Sequence, residues 1–190
     1  NDKYFNTVKG LLCSLVNMED IKIGDNFRDE NELKELTKIV KNMEWHHSHV
    51  SRERNYGPQS QFWYSDLKNN NFLNTHVFDK IKKHLPKEYT IDRLYANGQT
   101  KHLNGVYHQD DTRSTCYTCI LYSNSEVNNE NWEKYGGCTE IYFNKFDIAQ
   151  IKPIFNRLVI FKSNILHRGV GPDVNDFLRV TVAYKLLQSS

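Results

Sequence analysis

Apolar residues recur at helical spacing early in the chain and at strand spacing later. Over residues 29–43, Leu33, Leu36, Val40 and Met43 stand three or four positions apart with charged residues between them, which predicts an amphipathic helix. A second helix is predicted over residues 71–85, where Leu73, Val77, Ile81 and Leu85 form one stripe and Pro86 stands just beyond. The stretch from Trp45 to Leu67 is aromatic and reads as irregular. After Pro86 the pattern changes. Residues 89–95, 115–122, 138–143, 148–151, 158–161 and 178–187 are rich in β-branched and aromatic side chains, and Gly- and Asn-containing turns separate them. Helices followed by short strands predict an α+β fold, with helices on one face of an antiparallel sheet and a barrel or jelly roll beyond.

The last strand carries the most information. Leu178, Val180, Val182, Tyr184 and Leu186 alternate with Arg179, Thr181, Ala183 and Lys185. Strand side chains point to opposite faces in turn, so the apolar set is expected against the helices and the Arg179–Thr181 set inward. A buried arginine requires an anionic partner.

Composition narrows the class. A length of 190 residues suits a single domain, here read as 1–190 with a helical support region over 1–88 and a strand core over 89–187. Basic and acidic residues nearly balance, 25 against 23, so charge gives no case for a nucleic-acid partner. No apolar run reaches the length of a membrane span. The chain opens Asn1-Asp2-Lys3-Tyr4 without a signal-like apolar stretch, and a soluble, cytoplasmic protein is expected. Cys116 and Cys119 form a C-x-x-C without a second pair, and with Cys13 and Cys138 they read as reduced structural thiols.

Three distant residues form a metal-binding pattern. His108-Gln109-Asp110 is an H-x-D triplet, a common coincidence when taken alone. His167 ends the apolar run that starts at Leu158, where a histidine is more often packed core than ligand. Arg179 follows on the next strand. Taken together, H-x-D, a distal His after a strand and an Arg on the final strand describe a 2-His-1-carboxylate triad beside an anchor for a dicarboxylate. His46, His47 and His49 cluster after Trp45, but no Cys or carboxylate partners them at zinc spacing, and they read as a strand leading into a substrate loop.

Further motifs surround this pattern. Tyr95-Ala-Asn-Gly98 precedes the triplet, and Cys116-Tyr-Thr-Cys-Ile-Leu-Tyr-Ser-Asn124 follows it. Trp132 precedes Gly136-Gly137-Cys138-Thr139, and Arg157-Leu-Val-Ile-Phe161 leads towards His167. Over roughly residues 89–187 the chain resembles the prolyl 4-hydroxylase-like branch of the 2-oxoglutarate/Fe(II)-dependent dioxygenases. That resemblance implies a double-stranded β-helix (jelly roll) with N-terminal helices packed on its major sheet. It implies Fe(II) held by His108, Asp110 and His167, with 2-oxoglutarate as co-substrate, O2 as oxidant and ascorbate as a reductant. Arg179 would grip the distal carboxylate, Thr181 would add a hydroxyl, and Tyr95 and Tyr122 match positions where the branch places phenols near the co-substrate. Many members of the branch carry Lys where Arg179 stands; an Arg supplies the same charge in bidentate form. Halogenases of the superfamily lack the carboxylate, so Asp110 favours hydroxylation.

The resemblance also implies a peptide or protein substrate containing proline, with succinate and CO2 as co-products. Arg113, Trp132 and Tyr107 lie near the expected mouth and are the candidate substrate contacts, although solvated-loop or packing roles are commoner for such residues. The Asn-rich stretch from Ser123 to Tyr135 is a candidate lid. Alternative readings are the same chemistry on a free amino acid, a small metabolite or a nucleobase, a cupin-like metal enzyme, and a non-catalytic jelly-roll binding module.

Overall fold

A computed structural model describes residues 5–7, 20–50, 61–144 and 146–189. Its larger sheet is antiparallel with strands in the order β1 (Phe5–Thr7), β2 (Ile21–Gly24), β9 (Leu158–Lys162), β6 (Tyr117–Tyr122), β11 (Arg179–Gln188), β5 (Tyr89–Gln99), β4 (Gln61–Asp66) and β3 (His46–Val50). A smaller sheet has the order β10 (His167–Gly169), β7 (Thr139–Asn144) and β8 (Asp147–Ile151). Two sheets with helices on the outside of the larger one are the double-stranded β-helix that the sequence led us to expect.

The alternation in β11 explains the layering. Val180, Val182, Tyr184 and Leu186 join a buried cluster with Leu94, Ala96, Cys119, Leu121, Leu158 and Ile160 of the neighbouring strands. Leu36 from helix α1 (Glu30–Lys41) and Leu73, Val77 and Ile81 from the second helical segment complete that cluster. Each such fully buried side chain is worth about 1.5–3 kcal/mol. On the opposite face Ile120, Tyr122, Val159 and Phe161 meet Ile141 and Ile151 of the smaller sheet. The inner cavity therefore lies between the sheets, and Arg179, Thr181, Ala183 and Lys185, all buried, belong to its wall.

Helix α1 lies within the predicted range. The second helix begins as a π-helical turn, Phe72–Val77, and continues as α2, Phe78–Lys82. In that turn the Leu73 carbonyl accepts both the Phe78 amide and, at 3.1 Å, the Tyr184 hydroxyl of β11, which ties the helix to the sheet.

Two expectations are corrected. The stretch from Trp45 to Leu67 is not simply irregular, because β4 lies within it, paired with β3, the strand expected at His46–His49. The alternation in Gln-Phe-Trp-Tyr-Ser-Asp is hidden in the sequence because aromatic residues occupy both faces. On one side Trp63 contacts His47, and on the other Tyr64 lies against Tyr95. For the same reason the region before residue 89 is not purely helical, since it adds four strands to the larger sheet. The strand expected over 158–161 is β9, which ends at Lys162, and His167 starts a strand of the other sheet. Residues 51–60 and Cys13 lie outside the described residues. Cys116, Cys119 and Cys138 are buried free thiols. Among the described residues no helix is long and apolar enough to cross a membrane.

An ionic hub fixes the helices to each other. Asp29 caps α1 by accepting from the amides of Asn31 and Glu32, and the Glu32 carboxylate accepts the Asp29 amide in return. Glu32 also contacts Lys80, the His76 ring at 2.8 Å and Arg28 at 3.5 Å. Burial alone would raise its pKa, but Lys80, the Asp29 amide and Arg28 outweigh it and hold the carboxyl down at about 2. A folded-state pKa below the unfolded value stabilises the protein above the unfolded value and ceases to do so as pH falls through the folded one. Glu32→Gln, which can still cap, is expected to lower stability at neutral pH by roughly 2–3 kcal/mol. In denaturant titrations at stepped pH the gap between variant and wild type should close from the ordinary glutamate range down towards pH 2; a pH-independent gap would refute the ionic account.

Candidate metal centre

His108 follows β5 in the chain and His167 begins β10, yet the two backbones form an isolated antiparallel bridge. Each amide donates to the other residue's carbonyl, both at 3.0 Å. Asp110 is pinned two residues on, its amide donating to the Ser163 carbonyl at 2.9 Å. The rings are oriented by their own backbones. His108 Nδ1 lies 2.9 Å from the Val106 carbonyl and His167 Nδ1 lies 2.8 Å from the Ile165 carbonyl. A carbonyl can only accept, so each Nδ1 carries a proton, and in the neutral ring each Nε2 then presents a lone pair.

Those lone pairs converge. His108 Nε2 is 3.5 Å from Asp110 Oδ1, and His167 Nε2 is 3.3 Å from Asp110 Oδ2. One ligand atom from each residue falls within 4.8 Å of the other two, which is compatible with one ion bound by all three. Asp110 and His167 are buried, whereas the His108 side chain is 25% exposed. Burial lowers the pKa of His167 and so favours the neutral ring. For Asp110 burial acts in the opposite sense, but the Lys185 ammonium, the largest opposing influence, helps hold its carboxyl well below the ordinary value. Two neutral imidazoles and one ionised carboxylate form a donor set suited to iron(II), and they leave the remaining positions around the ion open.

Two partners of Asp110 were not singled out from sequence. Thr118 Oγ1 donates to Oδ2 at 2.7 Å and lies 3.0 Å from Ser163 Oγ. Lys185 Nζ donates to the same Oδ2 and sits over the Tyr95 ring, 5.9 Å from its centroid. Burial works against the Lys185 ammonium, but Asp110 and Tyr95 outweigh it, and its pKa lies above the ordinary lysine value. The alternation in β11 put Lys185 on the inward face, but nothing in the sequence tied it to Asp110.

Arg179, six residues before Lys185 on β11, builds the other end of the cavity wall. It is 3% exposed. Its guanidinium donates to the Gly137 carbonyl, to Gln99 Oε1 at 2.7 Å and to Thr139 Oγ1 at 2.9 Å. Among the described residues no carboxylate pairs with it, and burial lowers its pKa. Gly137, at φ +81°, makes room for it, since a Cβ there would stand 2.9 Å from Arg179 Cδ. The Tyr122 hydroxyl donates to Thr139 Oγ1 at 2.6 Å, and the Tyr122 ring centroid is 5.5 Å from the guanidinium carbon. Thr139 thus accepts twice and has its own proton left to donate. Thr181 is buried two residues from Arg179 on the same face. Asn97, between Tyr95 and Gln99 on β5 and opposite Thr181, has a buried Oδ1 with no hydrogen-bond partner among the described residues, an acceptor that calls for a donor. The buried Arg179 cation without a counter-charge marks a place suited to an anionic ligand.

The remaining candidates engage local partners. Arg113 makes a two-pronged pair with Asp111, at 2.9 and 2.7 Å. Tyr107 donates to Glu140 at 2.6 Å, and Arg168 binds the same carboxylate at 2.7 Å and stacks on the Tyr107 ring. Arg168 therefore points away from His167, as strand alternation requires. Trp132 receives the Lys152 ammonium over its ring at 4.7 Å. The contacts of these three candidates do not converge on one patch. His46, His47 and His49 lie on β3, and a register shift separates His47 from His49.

The profile of the 2OG-Fe(II) oxygenase superfamily matches residues 90–184. No curated protein sequence matches the chain. Among solved structures, a prolyl hydroxylase from Trichoplax adhaerens in complex with a peptide of the hypoxia inducible factor oxygen degradation domain is similar at a TM-score of 0.64. Identity is 18%, and the match covers 89% of this chain and 84% of that one. A Pseudomonas putida prolyl-4-hydroxylase gives 0.61 with 13% identity, covering 90% of this chain and 94% of that one. The non-heme alpha ketoglutarate dependent epimerase SnoN from nogalamycin biosynthesis gives 0.62 with 12% identity, covering 90% of this chain and 78% of that one. At these identities the neighbours establish the fold, while the superfamily profile spans half of the sequence and includes all three metal-binding candidates and Arg179. The chain belongs to the 2OG-Fe(II) oxygenase superfamily, whose cofactors are Fe(II) and 2-oxoglutarate.

Proposed function

We propose that this protein is a 2-oxoglutarate-dependent Fe(II) dioxygenase that hydroxylates a C–H bond of a peptidyl proline. His108, Asp110 and His167 are the iron ligands, and Arg179 is the anchor of 2-oxoglutarate. The observation that carries the reading is the pairing of a converging two-histidine, one-carboxylate cluster with a buried guanidinium that lacks a carboxylate partner among the described residues, the two linked by β11, which carries Arg179 and the Lys185 that contacts Asp110. The proline substrate is supported by the presence of prolyl hydroxylases among the similar structures, one of them bound to a peptide.

Bound iron supplies the redox chemistry by which O2 oxidises 2-oxoglutarate to succinate and CO2 while a substrate C–H bond becomes C–OH. The chain's own residues set the conditions for it. Arg179 fixes the far carboxylate through charge-assisted hydrogen bonds, with Thr139 as a hydroxyl donor and Thr181 beside it. Gln99 and the Gly137 carbonyl hold the guanidinium in place before the ligand arrives, so little ordering is left to binding. Tyr95 and Tyr122 keep their phenolic protons because burial raises both pKa values, so they offer hydrogen bonds rather than charge. The Val106 and Ile165 carbonyls keep both imidazoles in the ligating tautomer.

Anaerobic addition of Fe(II) and 2-oxoglutarate should produce a visible charge-transfer band. Admitting O2 with a panel of proline-containing peptides should add one oxygen to a peptide by mass spectrometry. Turnover of 2-oxoglutarate without oxygen gain in any peptide would reject proline and keep the chemistry. His167→Ala is expected to lower 2-oxoglutarate turnover by more than roughly a hundredfold, beyond the loss typical of a residue that only supports a ligand. Wild-type-like turnover would remove His167 from the metal. Arg179→Ala should raise the KM for 2-oxoglutarate by about thirtyfold or more, the lower end for truncating a buried charged hydrogen-bond partner. An unchanged KM would place the anchor elsewhere.

A further inference from the structure

The two oxygens of Asp110 are unlike. Oδ2 accepts from Thr118 at 2.7 Å and from the Lys185 ammonium, with His167 Nε2 a further 3.3 Å away, while Oδ1 has only the His108 Nε2 near it, at 3.5 Å, and accepts from no donor among the described residues. Lys185 is buried, and among the described residues Asp110 is the only carboxylate it pairs with. Arg179, on the same face of β11, pairs with none. With the two imidazoles in the uncharged form that ligation requires, this wall carries two cations against one anion. A divalent ion placed among His108, Asp110 and His167 adds two more positive charges close to the ammonium, in an interior that screens poorly. A dianion entering the same cavity removes two.

We propose that Lys185 is a positioning residue that occupies Oδ2 of Asp110, reserves Oδ1 for the metal, and makes firm metal binding depend on a dianionic co-ligand. The proposal rests on the metal reading given above and adds a coupling to it. In the metal-free protein Lys185 is the counter-ion of a carboxylate that would otherwise be buried beside two uncharged rings. When a divalent ion is bound, the same ammonium opposes it, and the opposition eases when 2-oxoglutarate fills the Arg179 end.

Cobalt(II), which binds such donor sets, is titrated calorimetrically with and without 2-oxoglutarate. The wild type is expected to bind Co(II) roughly tenfold or more tightly with 2-oxoglutarate present. Lys185→Gln can still donate to Oδ2 but lacks the charge. It should bind Co(II) alone about tenfold or more tightly than the wild type and gain less from 2-oxoglutarate. Lys185→Arg keeps the charge and should retain the wild-type coupling, which a purely structural role of the side chain would not predict. If the Gln variant does not fold, as judged by its thermal transition, Lys185→Met fills the space without charge and takes its place. Co(II) affinities of the neutral variant equal to wild type in both conditions would overturn the role of Lys185 and leave the metal site standing. Wild-type Co(II) binding that is untouched by His108→Ala would overturn the metal site itself.

Discussion

The backbone bridge between His108 and His167 is the interaction on which the candidate centre depends. Two imidazoles far apart in sequence become neighbours because their peptide groups exchange two hydrogen bonds of 3.0 Å. The side chains inherit their positions from that exchange, and the carbonyls two residues back in each segment then set the ring orientation. A centre built on peptide geometry tolerates wide change in surrounding side chains, which is consistent with a shared fold at identities of 12–18%.

The larger sheet separates two kinds of chemistry across one layer of backbone. On its outer face Leu, Val and Ile side chains bury the helices and supply stability. On its inner face the same strands carry Tyr95, Asn97, Gln99, Thr118, Tyr122, Arg179, Thr181 and Lys185, residues that are costly to bury without partners. The outer layer offsets that cost. The glycines that look like turn punctuation in the sequence belong to the inner arrangement, because Gly137 and Gly169 stand where any Cβ would collide with Arg179 or with Gln99.

Much of this could be read from residue order. The alternation of β11 revealed both faces, and the spacing of Leu33, Leu36 and Val40 revealed α1. The candidate metal-binding trio could be picked out because its motif neighbours are ordered along the chain, since the H-x-D triplet is a common coincidence when taken alone. What stayed hidden has physical causes. β4 carries aromatic residues on both faces, so no period shows. The contact of Lys185 with Asp110 joins residues 75 apart across two structural segments, and no local pattern encodes such a pairing. Thr118 and Thr139 are common residue types in ordinary strand positions, and only three-dimensional proximity marks them out.

The uneven shielding of the three candidate ligands has a further consequence. Asp110 and His167 are buried, whereas a quarter of the His108 side chain faces bulk water. An ion held by the three would be approachable from the solvent side of that ring, and the two inner side chains would form the sheltered part of its surroundings.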